Sequence, residues 1–103
     1  MSTQGRDDRL VIQVDRDLKV LVPQFLANRR ADVETVRQAL QRSDYESIRV
    51  LGHQMKGTGS GYGFDAITAI GTALEHAARA GDASTIQRCA GELTAYLERV
   101  EVV

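Results

Sequence analysis

From Leu18 to Leu97 the apolar side chains recur three and four residues apart, the spacing that gives an α-helix one buried stripe. Little in the chain competes with that pattern. Its 103 residues include one proline, so few points force a helix to stop, and aromatic residues, which favour strands, make up 5%. Asp15 or Asp17 can cap a short first helix with Leu18, Leu21 and Val22 on its apolar side. Pro23 lacks an N–H and crowds the preceding turn, so a second helix is expected to start near it and to continue through Phe25, Leu26, Val33, Val36 and Leu40. Ser43-Asp44-Tyr45-Glu46 fits a capping box for a third helix, which runs through Ile48, Leu51 and Met55 into GTGSGYG, with Gly63 as the expected terminator. A fourth helix carries Phe64, Ile67, Ile70, Leu74 and Ala78 and stops at Ala80-Gly81. Asp82 then caps a fifth, whose stripe is Ile86, Cys89, Ala90, Leu93, Leu97 and Val100.

This order implies an all-α fold, an antiparallel four-helix bundle over residues 15–103 with an additional short N-terminal helix. An extended N-terminal arm, residues 1–14, precedes it. Leu10–Val14 is β-branched enough for a strand, but no second run of comparable strength follows, so it is expected to lie on the bundle unpaired. The length suits one domain with one core and leaves no room for a second lobe.

A formal net charge of -1 argues against a general nucleic-acid binder, which would carry a basic excess. Arg29, Arg30, Asp32 and Glu34 are expected to form a solvated outer face of the second helix. No segment approaches the roughly 20 apolar residues that cross a bilayer, and the N-terminus lacks an apolar run of signal-peptide length. With the single Cys89 unable to form an internal disulfide, a cytoplasmic location is expected, with no membrane partner.

The chemistry concentrates on the third helix. At about 100° per residue, Ile48, Leu51, Met55 and Tyr62 share one arc, while Arg49, His53, Lys56, Gly57 and Ser60 fall on the far side. His53 therefore points away from the core. A solvated imidazole nitrogen can attack phosphorus without a separate base. Lys56, one turn on along the same face, can neutralise phosphoryl charge, and Gly57 removes a side chain that would crowd the ring. A glycine inside a helix costs about 1 kcal/mol relative to alanine, so access is a reason to keep it. Taken alone, a surface histidine beside a lysine is also commonplace.

The longer register HQMKGTGSGYGFDAITAIGTALE, His53 to Glu75, resembles the histidine-containing phosphotransfer (HPt) family, with His53, Lys56, Gly57, Gly63, Ile67, Leu74 and Glu75 in step and without a gap. The resemblance implies a phosphorelay carrier in two-component signalling. His53 would accept a phosphoryl group on Nε2 from a receiver-domain aspartate and pass it to another receiver. Lys56 would be the phosphate-stabilising cation and Gly57 the space for the partner, with Arg49, Gln54 and Ser60 as further phosphate- or partner-contacting residues. The implied partners are response-regulator receiver domains or a hybrid histidine kinase. No cofactor is implied for the chain itself, Mg²⁺ being expected in the receiver. Two departures stand out: Gly71 occupies a core position where relatives often carry Cys or another small residue, and Gly59, Gly61 and Gly63 make the end of the third helix unusually glycine-rich.

Other readings fit less well. A P-loop needs its lysine after the glycines and a strand before them, whereas Lys56 precedes most of them on a helical segment. His53, His76 and Cys89 lack clustered metal-ligand spacing, so no metal is expected; His76 suits a helix flank and Cys89 the core. In the dimerisation domain of a sensor kinase the residue after the histidine is typically acidic, but here it is Gln54. The same bundle docking to a receiver or kinase without taking phosphate is the main alternative. A core closed by its own helices leads one to expect a monomer.

Overall fold

Each predicted helix has a physical start and stop in the computed structural model, which describes residues 9–103. The polar stretch 1–8 of the expected arm lies outside the described residues. In chain order the elements are β1 (Leu10–Ile12), α1 (Arg16–Lys19), α2 (Val22–Gln41), α3 (Tyr45–Tyr62), α4 (Asp65–Ala80), α5 (Ala83–Arg99) and β2 (Val100–Val102). Asp15 caps α1 by accepting a hydrogen bond from the Asp17 N–H, and Asp82 caps α5 by accepting from that of Thr85. Gly63 ends α3 at φ 82° and Gly81 ends α4 at φ 64°, both in the left-handed region where a Cβ is penalised.

The cap of α3 lies one residue later than the capping box implied. Ser43 is itself left-handed, at φ 57°, and Asp44 is the cap, its carboxylate accepting from the Ser47 N–H at 3.1 Å and from the Ser47 hydroxyl at 2.6 Å. The two carboxylate oxygens take one group each, Oδ1 the N–H and Oδ2 the hydroxyl.

The four long helices close a ring of contacts: α3 on α4, α4 on α5, α5 on α2 and α2 on α3. Their connections are two or three residues long, spanning 42–44, 63–64 and 81–82. Inside the ring lie the expected stripe residues Phe25, Val33, Val36, Ile48, Met55, Phe64, Ile67, Ile70, Leu74, Ile86, Cys89, Leu93 and Leu97. Burial pushes the Cys89 thiol pKa up, in keeping with a packing role. Phe25 stacks on both Tyr62 and Phe64, with ring centroids 4.4 and 5.2 Å apart, so the aromatic residues gather where the end of α3 meets the first turns of α2.

Three expectations need correction. Leu21 caps α2 instead of packing, and is half exposed. Val100 does not continue the stripe of α5 but opens β2, while Tyr96, absent from the expected stripe, is buried. The Leu10–Val14 segment does find a partner: β1 pairs in parallel with β2, Leu10 opposite Val100 and Ile12 opposite Val102. A two-stranded pair is marginal by itself, but Leu10, Ile12, Val100 and Val102 all pack against the core. Among the described residues no helix is long and apolar enough to cross a membrane.

Candidate functional site

The two faces of α3 separate as its periodicity requires. Ile48, Gly52, Met55 and Gly59 are buried, whereas the His53 side chain is 63% exposed. What lies beneath that imidazole depends on how closely α4 approaches. A Cβ built on Gly71 would stand 2.6 Å from the Lys56 nitrogen and 2.7 Å from the Gly52 oxygen, and one on Gly52 would stand 2.8 Å from the Glu75 nitrogen. Both glycines are thus required by backbone-to-backbone packing, so Gly71, a departure from relatives that often carry Cys or another small residue there, is the residue this close crossing needs. Gly59 repeats the arrangement against Thr68.

This close crossing brings Glu75 of α4 under the third helix. Its side chain is 3% exposed, yet three basic groups meet it: His53 Nδ1 lies 3.1 Å from Oε2, Lys56 Nζ 3.1 Å from Oε1, and Arg79 Nη2 3.1 Å from Oε2. The hydrogen bond from Lys56, its charge, the His53 contact and the Arg79 charge together hold the Glu75 carboxyl below its usual pKa despite burial. An ionised carboxylate can only accept. The contact with Glu75 therefore favours the tautomer with hydrogen on Nδ1, which leaves the lone pair on Nε2.

The remaining expected site residues divide. Lys56 is 39% exposed and committed on one side to Glu75. Gly57 is exposed, and an added Cβ there would meet nothing within 4 Å, so no internal contact requires glycine at that position. Gln54 and Ser60 are exposed on α3 without a side-chain partner among the described contacts, and Gln54 shares a shallow groove with Thr35, Ser47, Val50 and Leu51. Arg49 is less available than expected. Its Nε and Nη2 donate to the two Glu46 oxygens at 2.9 and 2.7 Å, which occupies the guanidinium fork.

On the α2 side, Arg29 and Asp32 are not the solvated pair that charge pattern suggested. They bond at 2.6 Å with side chains only 13% and 15% exposed, and Arg29 also donates to the Thr58 hydroxyl at 2.9 Å and lies over the Phe25 ring. Burial raises the Asp32 pKa, partly offset by the Arg29 charge. This pair ties α2 to the turn of α3 that carries Gly57. His76 is exposed. Among the described residues no group of three or more His, Cys, Asp or Glu side chains is gathered to hold a metal ion.

Sequence reasoning missed Glu75 and Arg79 as site residues. One signal was available: Glu75 interrupts the buried side of α4, between Gly71, Leu74 and Ala78. A charged residue in an apolar stripe calls for a charged partner. A family model described as the Hpt domain matches residues 20–102. No curated protein and no solved structure matches the chain.

Proposed function

Since the chain belongs to the Hpt domain family, whose members serve histidine phosphotransfer in phosphorelay signalling, we propose that His53 is its phospho-acceptor. On this reading the protein is a cytoplasmic carrier that takes a phosphoryl group from one receiver-domain aspartate and gives it to another. The observation that supports it most is the exposed imidazole held at Nδ1 by a buried carboxylate, with Nε2 left to attack.

The Nε2 lone pair forms the N–P bond as the P–O bond of the partner's aspartyl phosphate breaks, and the aspartate leaves as a carboxylate. The proton on Nδ1 stays in place, and the positive charge that develops on the ring faces the Glu75 carboxylate 3.1 Å away. Lys56 supplies a cation for the transferred group. Gly57 leaves the adjacent backbone bare for the partner's approach. Gln54 and Ser60, together with the groove by Val50, form the docking surface. Mg²⁺ belongs to the receiver's acidic site, and the chain contributes a nucleophile, charge and position instead of acting as an enzyme alone. The scaffold is the expected antiparallel four-helix bundle, a reading supported by the ring of helix contacts and the short connections. A monomer suffices for this role.

The test is transfer of labelled phosphate from a phosphorylated receiver to wild type, His53→Gln and His53→Ala. Wild type alone should become labelled, with an acid-labile bond; equal labelling of the variants would refute the assignment. Binding of the receiver with no label at His53 would instead favour a docking module. Lys56→Ala should slow transfer by about tenfold, the scale of one charge-assisted hydrogen bond, while remaining folded by circular dichroism.

A further inference from the structure

The closed ring of helices has no need of a second copy, but the two strands are different. Among the described residues β1 and β2 form a sheet with no third strand, and two strands alone are marginal in water. Ile12 turns its backbone toward β2, its carbonyl accepting from the Val103 N–H at 3.0 Å. Backbone direction alternates along a strand, so the N–H and C=O of Val11, and of Gln13 beyond it, point to the opposite edge. Among the described residues neither has a backbone hydrogen-bond partner across that edge. Val11 is 56% exposed and Gln13 is exposed as well. An open edge of this kind is a template for another strand.

We propose that this edge pairs with itself: β1 runs antiparallel to β1 of a second copy of the chain, about a twofold axis at Ile12. Residues 9–15 read Arg-Leu-Val-Ile-Gln-Val-Asp, so Ile12 opposite Ile12 sets Arg9 opposite Asp15, Leu10 opposite Val14 and Val11 opposite Gln13. Charge and burial both select this register. Leu10, Ile12 and Val14 belong to the core or pack against it in each copy, and they meet on the inner side of the joined sheet, with the polar and charged pairs outside. Val11 and Gln13, whose backbone groups point outward, become the hydrogen-bonded pairs. A slip of two residues loses the Arg9–Asp15 match, and a slip of one sets inner side chains opposite outer ones. Asp15 spends Oδ1 on the Asp17 N–H as the cap of α1, which leaves Oδ2 for the arginine. Arg9 already reaches Glu101 of its own chain at 3.0 Å, and a guanidinium has donors enough for two carboxylates. The joined sheet has the order β2-β1-β1-β2, beyond the three strands that give a sheet independent stability. Leu10 lies over a groove shared with Ala66 and Ala69 of α4 and Tyr96 of α5, lined by no residue of α3. The pairing therefore makes no call on the surface that carries His53, and it stands apart from the reading of that residue as phospho-acceptor. Transfer needs one copy; the sheet gives a reason for two.

A short strand pair is a small interface of the weak, transient class, so sedimentation equilibrium of the full chain is run from about 10 µM to 1 mM. The wild-type mass should rise with concentration from 11.3 kDa toward twice that value. Val11→Pro removes an outward N–H and leaves the bonds of Leu10 and Ile12 to β2 in place, so it should stay at the monomer mass with unchanged circular dichroism. Asp15→Asn still caps α1 but carries no charge. It should weaken the dimer by roughly fivefold, the scale of two exposed ion pairs, and flatten its salt dependence. Ile12→Cys places a thiol opposite itself in the close, non-hydrogen-bonded pair. It should cross-link under mild oxidation, whereas Gln38→Cys on the exposed side of α2 should not. A wild-type mass of 11.3 kDa across the whole range would overturn the proposal, as would a dimer that Val11→Pro leaves intact. Should Val11→Pro lose its helical signal, the cross-link decides: Ile12→Cys forming no more dimer than Gln38→Cys overturns the pairing.

Discussion

Replacing Gly71 with alanine should loosen the candidate site without altering any group that carries its chemistry. The new Cβ would stand 2.6 Å from the Lys56 nitrogen and 2.7 Å from the Gly52 oxygen, about 0.8 Å short of ordinary contact with the nearer of them. Both are backbone atoms, so no side chain can swing aside, and α4 must move away from α3. Overpacking of this kind costs about 1–3 kcal/mol, and a clash against rigid backbone belongs at the upper end. Alanine regains about 1 kcal/mol of helix propensity, leaving a net loss of about 1–2 kcal/mol. In a domain of this size each kcal/mol moves Tm by about 4–8 °C, so a fall of roughly 5–15 °C is expected in thermal unfolding followed by circular dichroism. The same shift would stretch the 3.1 Å contacts from Glu75 to His53 and Lys56, and the ¹⁵N resonances of the His53 ring should report a weakened Nδ1–H preference. Gly57→Ala and Gly91→Ala are the matched controls. Neither Cβ would meet anything within 4 Å, so both should gain up to about 1 kcal/mol. Gly57→Ala should nevertheless slow transfer, because the added methyl stands where a partner must approach. A Gly71→Ala protein as stable as wild type would refute the claim that close α3–α4 packing builds the site.

Two further outcomes follow from the charges and caps. Asp44, Glu75 and Asp82 all have pKa values lowered in the folded protein, Asp44 and Asp82 chiefly by hydrogen bonds from Ser47 and Thr85 and Glu75 chiefly by that from Lys56. Their contribution is fully present above the ordinary carboxylate pKa and is lost as pH falls through the lower folded values. Urea unfolding should therefore show stability declining as pH drops below about 4.5, with a smaller decline in Glu75→Gln. A decline beginning near neutral pH would contradict this account. Asp82→Ala removes the acceptor for the Thr85 N–H and hydroxyl and should cost about 1 kcal/mol, read as a lower urea midpoint with an unchanged slope.

Much of the fold was legible because it is local. A helix places residues three and four apart on one face whatever it packs against, so His53 and Lys56 could be set side by side, and away from Ile48 and Met55, from spacing alone. The terminators Gly63 and Gly81 and the cap Asp82 were legible for the same reason, since each acts on atoms within a few residues of itself. The cap of α3 was misplaced by one residue because Ser43 and Asp44 are both competent caps, and only the left-handed backbone at Ser43 separates them.

What spacing cannot supply is the register of one element against another. β1 meets β2 from the opposite end of the chain, and residues 100–102 look in sequence like the last turn of α5. The partner of His53 is hidden in the same way. Glu75 lies 22 residues on, and it reaches the ring only because Gly52 and Gly71 let the α3 and α4 backbones touch. The sequence by itself determined the helices, their buried faces and an exposed imidazole with a lysine one turn away. The tertiary structure alone decided which carboxylate holds that imidazole and which arginine stands beside it, because contacts between helices depend on how closely and in what register their surfaces meet.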